Sequence, residues 1–162
     1  MGITIRVATE NDIPAVISLI HEFAAFEELS DFCEVDKSRL SIAMFGAGGF
    51  VQGLIAEDGE RPVGYALYFR NFSSFRGQRG FYLDDIYVTE AYRGQGVGEM
   101  MLRKIARHAT SEGLERIDFL VLDWNTPAAG FYRKLGAIHD PEERHYKFTD
   151  DAFRRLASDK DS

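Results

Sequence analysis

The chain has 162 residues, of which 45% are hydrophobic and 28% are charged, a composition typical of a globular domain rather than a disordered segment. Nineteen basic and 26 acidic residues give a net charge of −7, which disfavours nucleic acid as a partner and mildly favours cationic partners. The single cysteine, Cys33, excludes a disulfide framework and any zinc site built on paired cysteines. Because the four histidines also lack metal-binding spacing, we expect no metal.

The organisation of the chain predicts one domain. Residues 1–6 contain no basic region followed by an apolar stretch, and no run approaches the ~18 apolar residues of a membrane helix. We therefore expect a cytoplasmic protein. No repeat, low-complexity tract or linker precedes the last four residues, so we predict a single domain over residues 1–158 and a short polar tail over 159–162.

The first half of the chain predicts a strand, two helices and a pair of strands. Thr9 followed by Asp12 resembles a capping box at the start of the first helix, and an Asp-Gly step predicts a hairpin between the paired strands. Apolar periodicity gives the remaining boundaries. The predicted elements are a strand over 3–7, a helix over 13–24, a weaker helix over 36–45 and strands over 50–57 and 63–72.

The second half predicts further strands and helices in alternation. Gly113 and Gly136 are expected to end the two helices. The predicted elements are a polar loop over 73–80, strands over 81–88, 117–122 and 146–148, and helices over 96–112 and 126–135. Elements of this size and order predict an α/β fold with a mixed sheet covered by helices.

Three glycines at alternate positions, Gly94, Gly96 and Gly98, open the helix that follows strand 81–88. Glycine lets the backbone approach a ligand and adopt positive φ, and the first amides of a helix are free to bind an anion. Such a turn suits a phosphate or pyrophosphate. Glu99 stands where a Rossmann fingerprint needs its third glycine, and the Gly-Lys-Ser/Thr of a P-loop is absent. A tight turn without a ligand is the alternative that the triplet alone leaves open.

Residues 92–98 resemble the Arg/Gln-x-x-Gly-x-Gly/Ala acetyl-CoA signature of the GNAT acetyltransferases, on Arg93, Gly96 and Gly98. Four more segments are similar to the spermidine/spermine acetyltransferases and their thialysine-acetylating relatives, namely residues 26–31, 82–88, 122–125 and 131–132. These segments occur in the order of that family and extend over most of the chain. The resemblance implies the GNAT fold, a mixed and partly splayed β-sheet flanked by helices.

The resemblance also implies acetyl-CoA as the acetyl donor and CoA as a product. In the family, the strand that holds Ile86 and Val88 splays from the strand that holds residues 119–121, and the pantetheine arm fills the gap. The residues expected to contact the cofactor are Ile86, Tyr87, Val88, Arg93, Gly94, Gln95, Gly96, Val97, Gly98, Glu99, Asn125 and Ala128.

Two residues are expected to carry the chemistry. Tyr132 is similar to the family tyrosine that protonates the departing thiolate, and packing against Phe131 is its alternative role. Asp84 falls where the family has a glutamate that takes the proton of the amine, and its shorter side chain favours transfer through a water. Because Asp84 and Asp85 are adjacent on a strand, we expect them to point to opposite faces, so that only one reaches the site.

The substrate is predicted from weaker features. Glu27 aligns with a family residue near the substrate amine, and Glu143 is a second candidate. Ser73-Ser74 replaces an acidic residue of the polyamine-specific members, and Arg76 and Arg79 follow. An arginine such as Arg76 could bind a substrate carboxylate in a bidentate manner. A solvated loop tip is the alternative.

We therefore expect direct acetyl transfer to a small primary amine in a ternary complex. The acceptor is a thialysine- or lysine-like amino acid, or a diamine or polyamine. Close relatives are homodimers, which implies the same here. The alternatives are acetylation of a protein N-terminus or lysine, and a CoA-binding regulatory module without catalysis.

Overall fold

A computed structural model describes residues 2–158. These residues form a first unit up to Leu120 and a second unit from Val121 onward. The single domain over 1–158 stays a prediction, and the predicted tail at 159–162 lies outside the described residues.

The first unit contains a five-stranded sheet in the order β1-β2-β3-β4-β5. Its first four strands pair antiparallel with their neighbours, and β5 pairs parallel with β4. This mixed sheet confirms the predicted α/β class. The strands are β1 (Ile3–Val7), β2 (Gln52–Asp58), β3 (Arg61–Ser73), β4 (Gln78–Val88) and β5 (Arg116–Phe119).

Five α-helices lie in the described part of the chain. They are α1 (Ile13–Phe26), α2 (Lys37–Phe45) and α3 (Val97–Ser111) in the first unit, and α4 (Thr126–Lys134) and α5 (Asp150–Ser158) in the second. Single 3₁₀ turns cover Glu10–Asp12, Ser30–Phe32 and Glu90–Tyr92. No helix within residues 2–158 is long and apolar enough to cross a membrane.

Successive strand residues alternate between two apolar cores on opposite faces of the sheet. Leu54 and Ala66 pack in the core that contains the buried side of α3. Their neighbours Ile55 and Tyr65 pack in the core that contains α1 and Leu40 of α2. The sheet of the first unit is therefore covered by helices on both faces, as predicted.

Arg6 of β1 joins the entrance of α1 to β2. Its guanidinium donates to both carboxylate oxygens of Asp12 at 2.8 Å and to Glu57 at 2.7 and 3.1 Å. The Asp12 carboxylate also accepts from the backbone amide of Thr9 at 2.7 Å, which is the Asp12 half of the predicted capping box. The pKa of Asp12 is lowered to about 2, and the hydrogen bonds from Arg6 are the largest cause.

We expect Asp12→Ala to lower the free energy of unfolding by about 2–3 kcal/mol at pH 7, because the variant removes a cap and leaves Arg6 without one partner. Since the pKa of Asp12 in the folded state lies below its ordinary value of 3.8, this stabilisation is present above about pH 4 and is lost as pH falls toward 2. Urea denaturation over this pH range measures the effect. The matched control is Asp36→Ala, which removes only the cap of α2 and should cost about 1 kcal/mol.

Three predicted elements differ from the structure. Half of the predicted loop over 73–80 is strand, since β3 runs to Ser73, β4 begins at Gln78 and only 74–77 form the turn. This end of the hairpin extends beyond β2, so its side chains are solvated and lack an apolar alternation. The strand predicted over 117–122 is shorter and ends at Phe119.

The strand predicted over 146–148 is wrong, because these residues have no regular secondary structure. Three alternating residues do not make a strand without a neighbour to pair with, and the described part of the second unit contains no other strand. Helix α5, which follows at Asp150, was not predicted.

Candidate active site

Strand β4 has one free edge along its second half. It pairs with β5 only from Gly80 to Leu83, although it continues to Val88. On that edge, residues 84–88 have no strand partner within the described chain, so the backbone amides and carbonyls that point away from β3 face open space, except the carbonyl of Val88, which accepts from Arg93. Because β5 itself ends at Phe119, the partner of Leu83, the predicted separation of this strand from residues 119–121 stays a prediction.

A glycine turn joins β4 to α3. Gly94 and Gly96 have φ values of 76° and 82°, which only glycine adopts without strain. The amide of Met100 makes the first backbone bond of the helix, to Gly96 at 2.9 Å, so the amides of residues 97–99 precede the helical ladder and face outward. A Cβ at Gly94 or Gly96 would meet nothing within 4 Å. The turn therefore offers open space beside free amides, which fits a pyrophosphate.

The side chain of Arg93 is held close to this turn. Its Nε donates to the carbonyl of Val88 at 2.9 Å, and its guanidinium lies 4.3 Å from the ring centre of Phe26 and 5.3 Å from that of Tyr87. These contacts keep a positive charge beside the end of β4. They also join the turn to the end of α1, the helix that precedes Glu27.

A β-bulge at Asp84 changes the direction of the side chains along β4. Leu83 and Asp85 oppose consecutive residues of β3, which leaves Asp84 as the extra residue. Before the bulge, Leu83 belongs to the core on the α3 face. After it, Tyr87 belongs to the core on the α1 face, although strict alternation would place the two on the same side. The simple alternation predicted for Asp84 and Asp85 is therefore interrupted between them.

Asp85 is half-buried and bonded to a tyrosine of the neighbouring strand. The hydroxyl of Tyr65, which is 0% exposed, donates to Asp85 Oδ2 at 2.7 Å. The pKa of Asp85 is raised to about 6, and burial is the main cause. The negative charges of Asp84 and Glu27 also raise it, whereas the hydrogen bond from Tyr65 lowers it. Asp85 thus has an affinity for a proton in the range useful to a general base.

Two more carboxylates contribute to this acidic region. The Asp84 side chain is exposed to solvent. The protein that surrounds it still removes enough water for desolvation to raise the pKa of its carboxyl. Desolvation likewise raises the pKa of Glu27, which follows the last residue of α1. The next residue, Glu28, ends the helix with a φ of 59°. Asp84, Asp85 and Glu27 form what we call the carboxylate cluster.

Arg76 and Arg79 lie at the far end of the β3–β4 hairpin. Arg79 precedes Asp84 by five residues within β4, which at about 3.3 Å per residue is roughly 17 Å. Arg76 is in the turn beyond it. The contact predicted for Arg76 therefore stays a prediction, and over this distance a longer acceptor or the hairpin of another chain would make it more readily than a lysine-sized molecule.

The second unit holds the remaining predicted site residues. Asn125 is the N-cap of α4, and its side chain accepts from the amide of Ala128 at 3.3 Å. Tyr132 lies on α4 with its ring 5.2 Å from that of Phe131, in an edge-to-face contact. Glu143 is exposed in a segment without regular secondary structure.

A sequence profile of the Acetyltransferase (GNAT) family matches residues 18–137, which is more than half of the chain. The chain belongs to the GNAT family of acetyltransferases. The resemblance found in the sequence is confirmed by this match.

Two relatives and one solved structure illustrate where this GNAT acetyltransferase stands. A thialysine N-epsilon-acetyltransferase of Bos taurus is 37% identical over 96% of this chain and 97% of that protein. A spermidine/spermine N(1)-acetyltransferase-like protein 1 of Homo sapiens is 36% identical over 83% of this chain and 20% of that protein. An integron cassette protein from the mobile metagenome of V. cholerae has a TM-score of 0.82 at 21% identity, over 98% of this chain and 99% of that chain, and so shares the fold.

Sequence reasoning missed two features of this GNAT acetyltransferase. The first is Asp85 with its bond from Tyr65, which depends on the bulge and on the pairing of β3 with β4. The second is Tyr92, which was noted only as part of the signature, although its hydroxyl donates to Asp58 at 2.8 Å. A tyrosine directly before the signature arginine was the available signal, but its partner lies 34 positions earlier.

Proposed function

We propose that this GNAT acetyltransferase transfers the acetyl group of acetyl-CoA directly to the primary amine of a small molecule, in a ternary complex. The preferred acceptor is a thialysine- or lysine-like amino acid. The observation that carries the proposal is the second half of β4. This part of the strand has a free edge and carries two carboxylates at a bulge. It leads directly into the glycine turn, which has open space beside free amides.

The residues of the first unit fit the donor. The amides of residues 97–99 and the helix dipole would bind the pyrophosphate, with Gly94 and Gly96 admitting it closely. The free edge at Ile86 and the amide of Val88 would bind the pantetheine arm through strand-like hydrogen bonds, since the carbonyl of Val88 already accepts from Arg93. Acetyl-CoA supplies a thioester, whose carbonyl carbon is open to attack by an amine.

The carboxylate cluster fits the acceptor. A lysine-like amine has a pKa near ~10.4, so removing its proton at pH 7 costs roughly 4–5 kcal/mol. The cluster would attract the ammonium, and Asp84, its most exposed member, would take the proton directly or through a water. Asp85 and Glu27 increase the negative charge around Asp84, which favours both steps.

The resemblance to the family supplies the proposed roles in the second unit. Tyr132 would donate a proton to the departing thiolate, Asn125 and Ala128 would contact the donor, and Glu143 would contact the acceptor. The capping bond from the Ala128 amide to Asn125 defines the start of α4, the helix that carries Tyr132, and so supports a fixed position for this residue on its helix.

The acceptor can be tested with a panel of amines under saturating acetyl-CoA. We expect the highest kcat/KM for thialysine or lysine and lower values for putrescine and spermidine, because residues 73–74 lack the carboxylate of the polyamine-specific members. Arg76→Ala combined with Arg79→Ala tests the predicted carboxylate contact. An unchanged order of acceptors in that variant would make the arginines a solvated tip, and a preference for spermidine in the wild type would replace the amino-acid proposal with the polyamine one.

We further propose that the protein is cytoplasmic and acts as a homodimer of single-domain chains. The composition of the chain and its likeness to homodimeric members of the family support these statements. Sedimentation of the purified protein tests the dimer.

A further inference from the structure

We propose that the hydrogen bond from Tyr92 to Asp58 is a positioning contact for the glycine turn, so that the β2–β3 hairpin determines the affinity for a pyrophosphate-bearing donor. This inference rests on the proposed function, because it assigns the glycine turn to the donor.

The glycine turn is held at both of its ends. After it, Val97 is 1% exposed and packs in the core on the α3 face. Before it, the amide of Thr89 donates to the carbonyl of Val63 at 2.9 Å, which attaches the start of the 3₁₀ turn to β3. Tyr92 is the last residue of that turn and directly precedes Arg93.

The side chain of Tyr92 leaves this segment for the hairpin between β2 and β3. Its hydroxyl donates to Asp58 Oδ2 at 2.8 Å, and the guanidinium of Arg61 lies 5.8 Å from its ring centre. Asp58 ends β2 and pairs with Arg61, the first residue of β3. The hairpin therefore contacts Tyr92 with both of its strands.

The bond from Tyr92 matters to Asp58 as well. Asp58 Oδ1 is buried and has no hydrogen-bond partner among residues 2–158. The carboxylate is therefore held through Oδ2, which accepts from the hydroxyl of Tyr92. Without the tyrosine hydroxyl, a half-buried carboxylate with one buried oxygen would lose that donor, which favours movement of the 3₁₀ turn away from the hairpin. Because residues 93–96 follow directly, the glycine turn would then lose its fixed position beside the amides of residues 97–99, which we assign to the pyrophosphate.

The test compares two acetyl donors. Tyr92→Phe should raise the KM for acetyl-CoA about 5- to 30-fold and leave kcat within about twofold, since the turn binds the donor but does not contact the reacting atoms. S-acetyl-N-acetylcysteamine, which has no pyrophosphate, should show no such penalty. A merely structural role for Tyr92 would affect both donors alike.

Further variants separate the bond from general destabilisation. Asp58→Asn keeps an acceptor for the hydroxyl and should remain close to the wild type, whereas Asp58→Ala should match Tyr92→Phe, and the double variant should be no worse than either. The matched control is Tyr68→Phe. This variant removes another bonded tyrosine hydroxyl, 3.0 Å from His108, and should leave the KM for acetyl-CoA unchanged.

Calorimetry distinguishes the two ways to fail. If the wild type does not bind acetyl-CoA, the proposed function fails. If the wild type binds and Tyr92→Phe binds equally well, or both donors suffer equally, the positioning role is wrong while the proposed function stands.

Discussion

Replacing Tyr132 with phenylalanine is expected to lower kcat by about 10²–10⁴-fold, the usual contribution of a general acid. The change keeps the ring and its edge-to-face contact with Phe131 but removes the proton that the departing thiolate would receive. The Kd for acetyl-CoA should hardly change, because binding requires no proton from this residue. Steady-state rates and calorimetry measure the two quantities.

The matched control for this variant is Tyr146→Phe. Tyr146 lies in the same unit, and its side chain is 84% exposed, so loss of its hydroxyl should leave kcat unchanged. A Tyr132→Phe protein with near-normal turnover would reduce Tyr132 to a packing residue of α4. A large loss of acetyl-CoA affinity would instead assign its hydroxyl to donor binding.

Asp84→Asn should lower kcat/KM by about 10²–10⁴-fold, because the amine then loses its proton acceptor. Asp85→Asn should cost less and should change the pH profile instead. With the pKa of Asp85 near 6, its carboxylate is ionised above about pH 6 and neutral below, so we expect kcat/KM of the wild type to fall as pH drops through about 6.

Tyr65→Phe should shift the pH dependence of kcat/KM instead of removing it. The hydrogen bond from Tyr65 lowers the pKa of Asp85, so its loss should move the acidic limb to higher pH, whereas Asp85→Asn should remove that limb. The groups that face Asp85 are Asp84 on β4, Tyr65 on β3 and Glu27 after α1. Limbs that stay in place in both variants would show that Asp85 does not influence the reaction. A larger loss of activity in Asp85→Asn than in Asp84→Asn would make Asp85 the base.

Stability should change in the direction opposite to activity. Because the pKa of Asp85 is raised in the folded protein, its ionisation destabilises the fold as pH rises through about 4 to 6, and the cost persists at neutral pH. An asparagine side chain at this position has no charge to bury and can still accept from Tyr65. Asp85→Asn should therefore raise the free energy of unfolding at pH 7 by about 1–2 kcal/mol, as expected where function opposes stability. Urea denaturation of the two proteins measures the difference.

Features that depend on local chemistry could be predicted from the sequence. Gly113 and Gly136 follow α3 and α4 with φ values of 74° and 100°, because a left-handed residue that ends a helix favours glycine wherever the helix lies. The turn at Gly94 and Gly96 follows from the same preference. Each of these predictions needed only a residue and its immediate neighbours.

Features that depend on pairing between distant segments could not be predicted. The bulge at Asp84 arises because β3 offers one residue fewer than β4, whereas residues 82–87 alone predict a regular strand. The partners Tyr65 and Asp85 are 20 positions apart. The sequence predicts a loop at residues 73 and 78–80 of the β3–β4 hairpin, because backbone pairing, rather than an apolar pattern, makes them strand.

The most direct test of the account measures initial rates while acetyl-CoA and thialysine are both varied, with the product identified by mass. The account predicts one N-acetylthialysine for each CoA released, and double-reciprocal lines that intersect, as a ternary complex requires. Parallel lines would indicate an acetylated enzyme and contradict direct transfer. If the protein binds acetyl-CoA but releases no CoA with thialysine or with any other small amine, acetyl transfer to a small amine is contradicted.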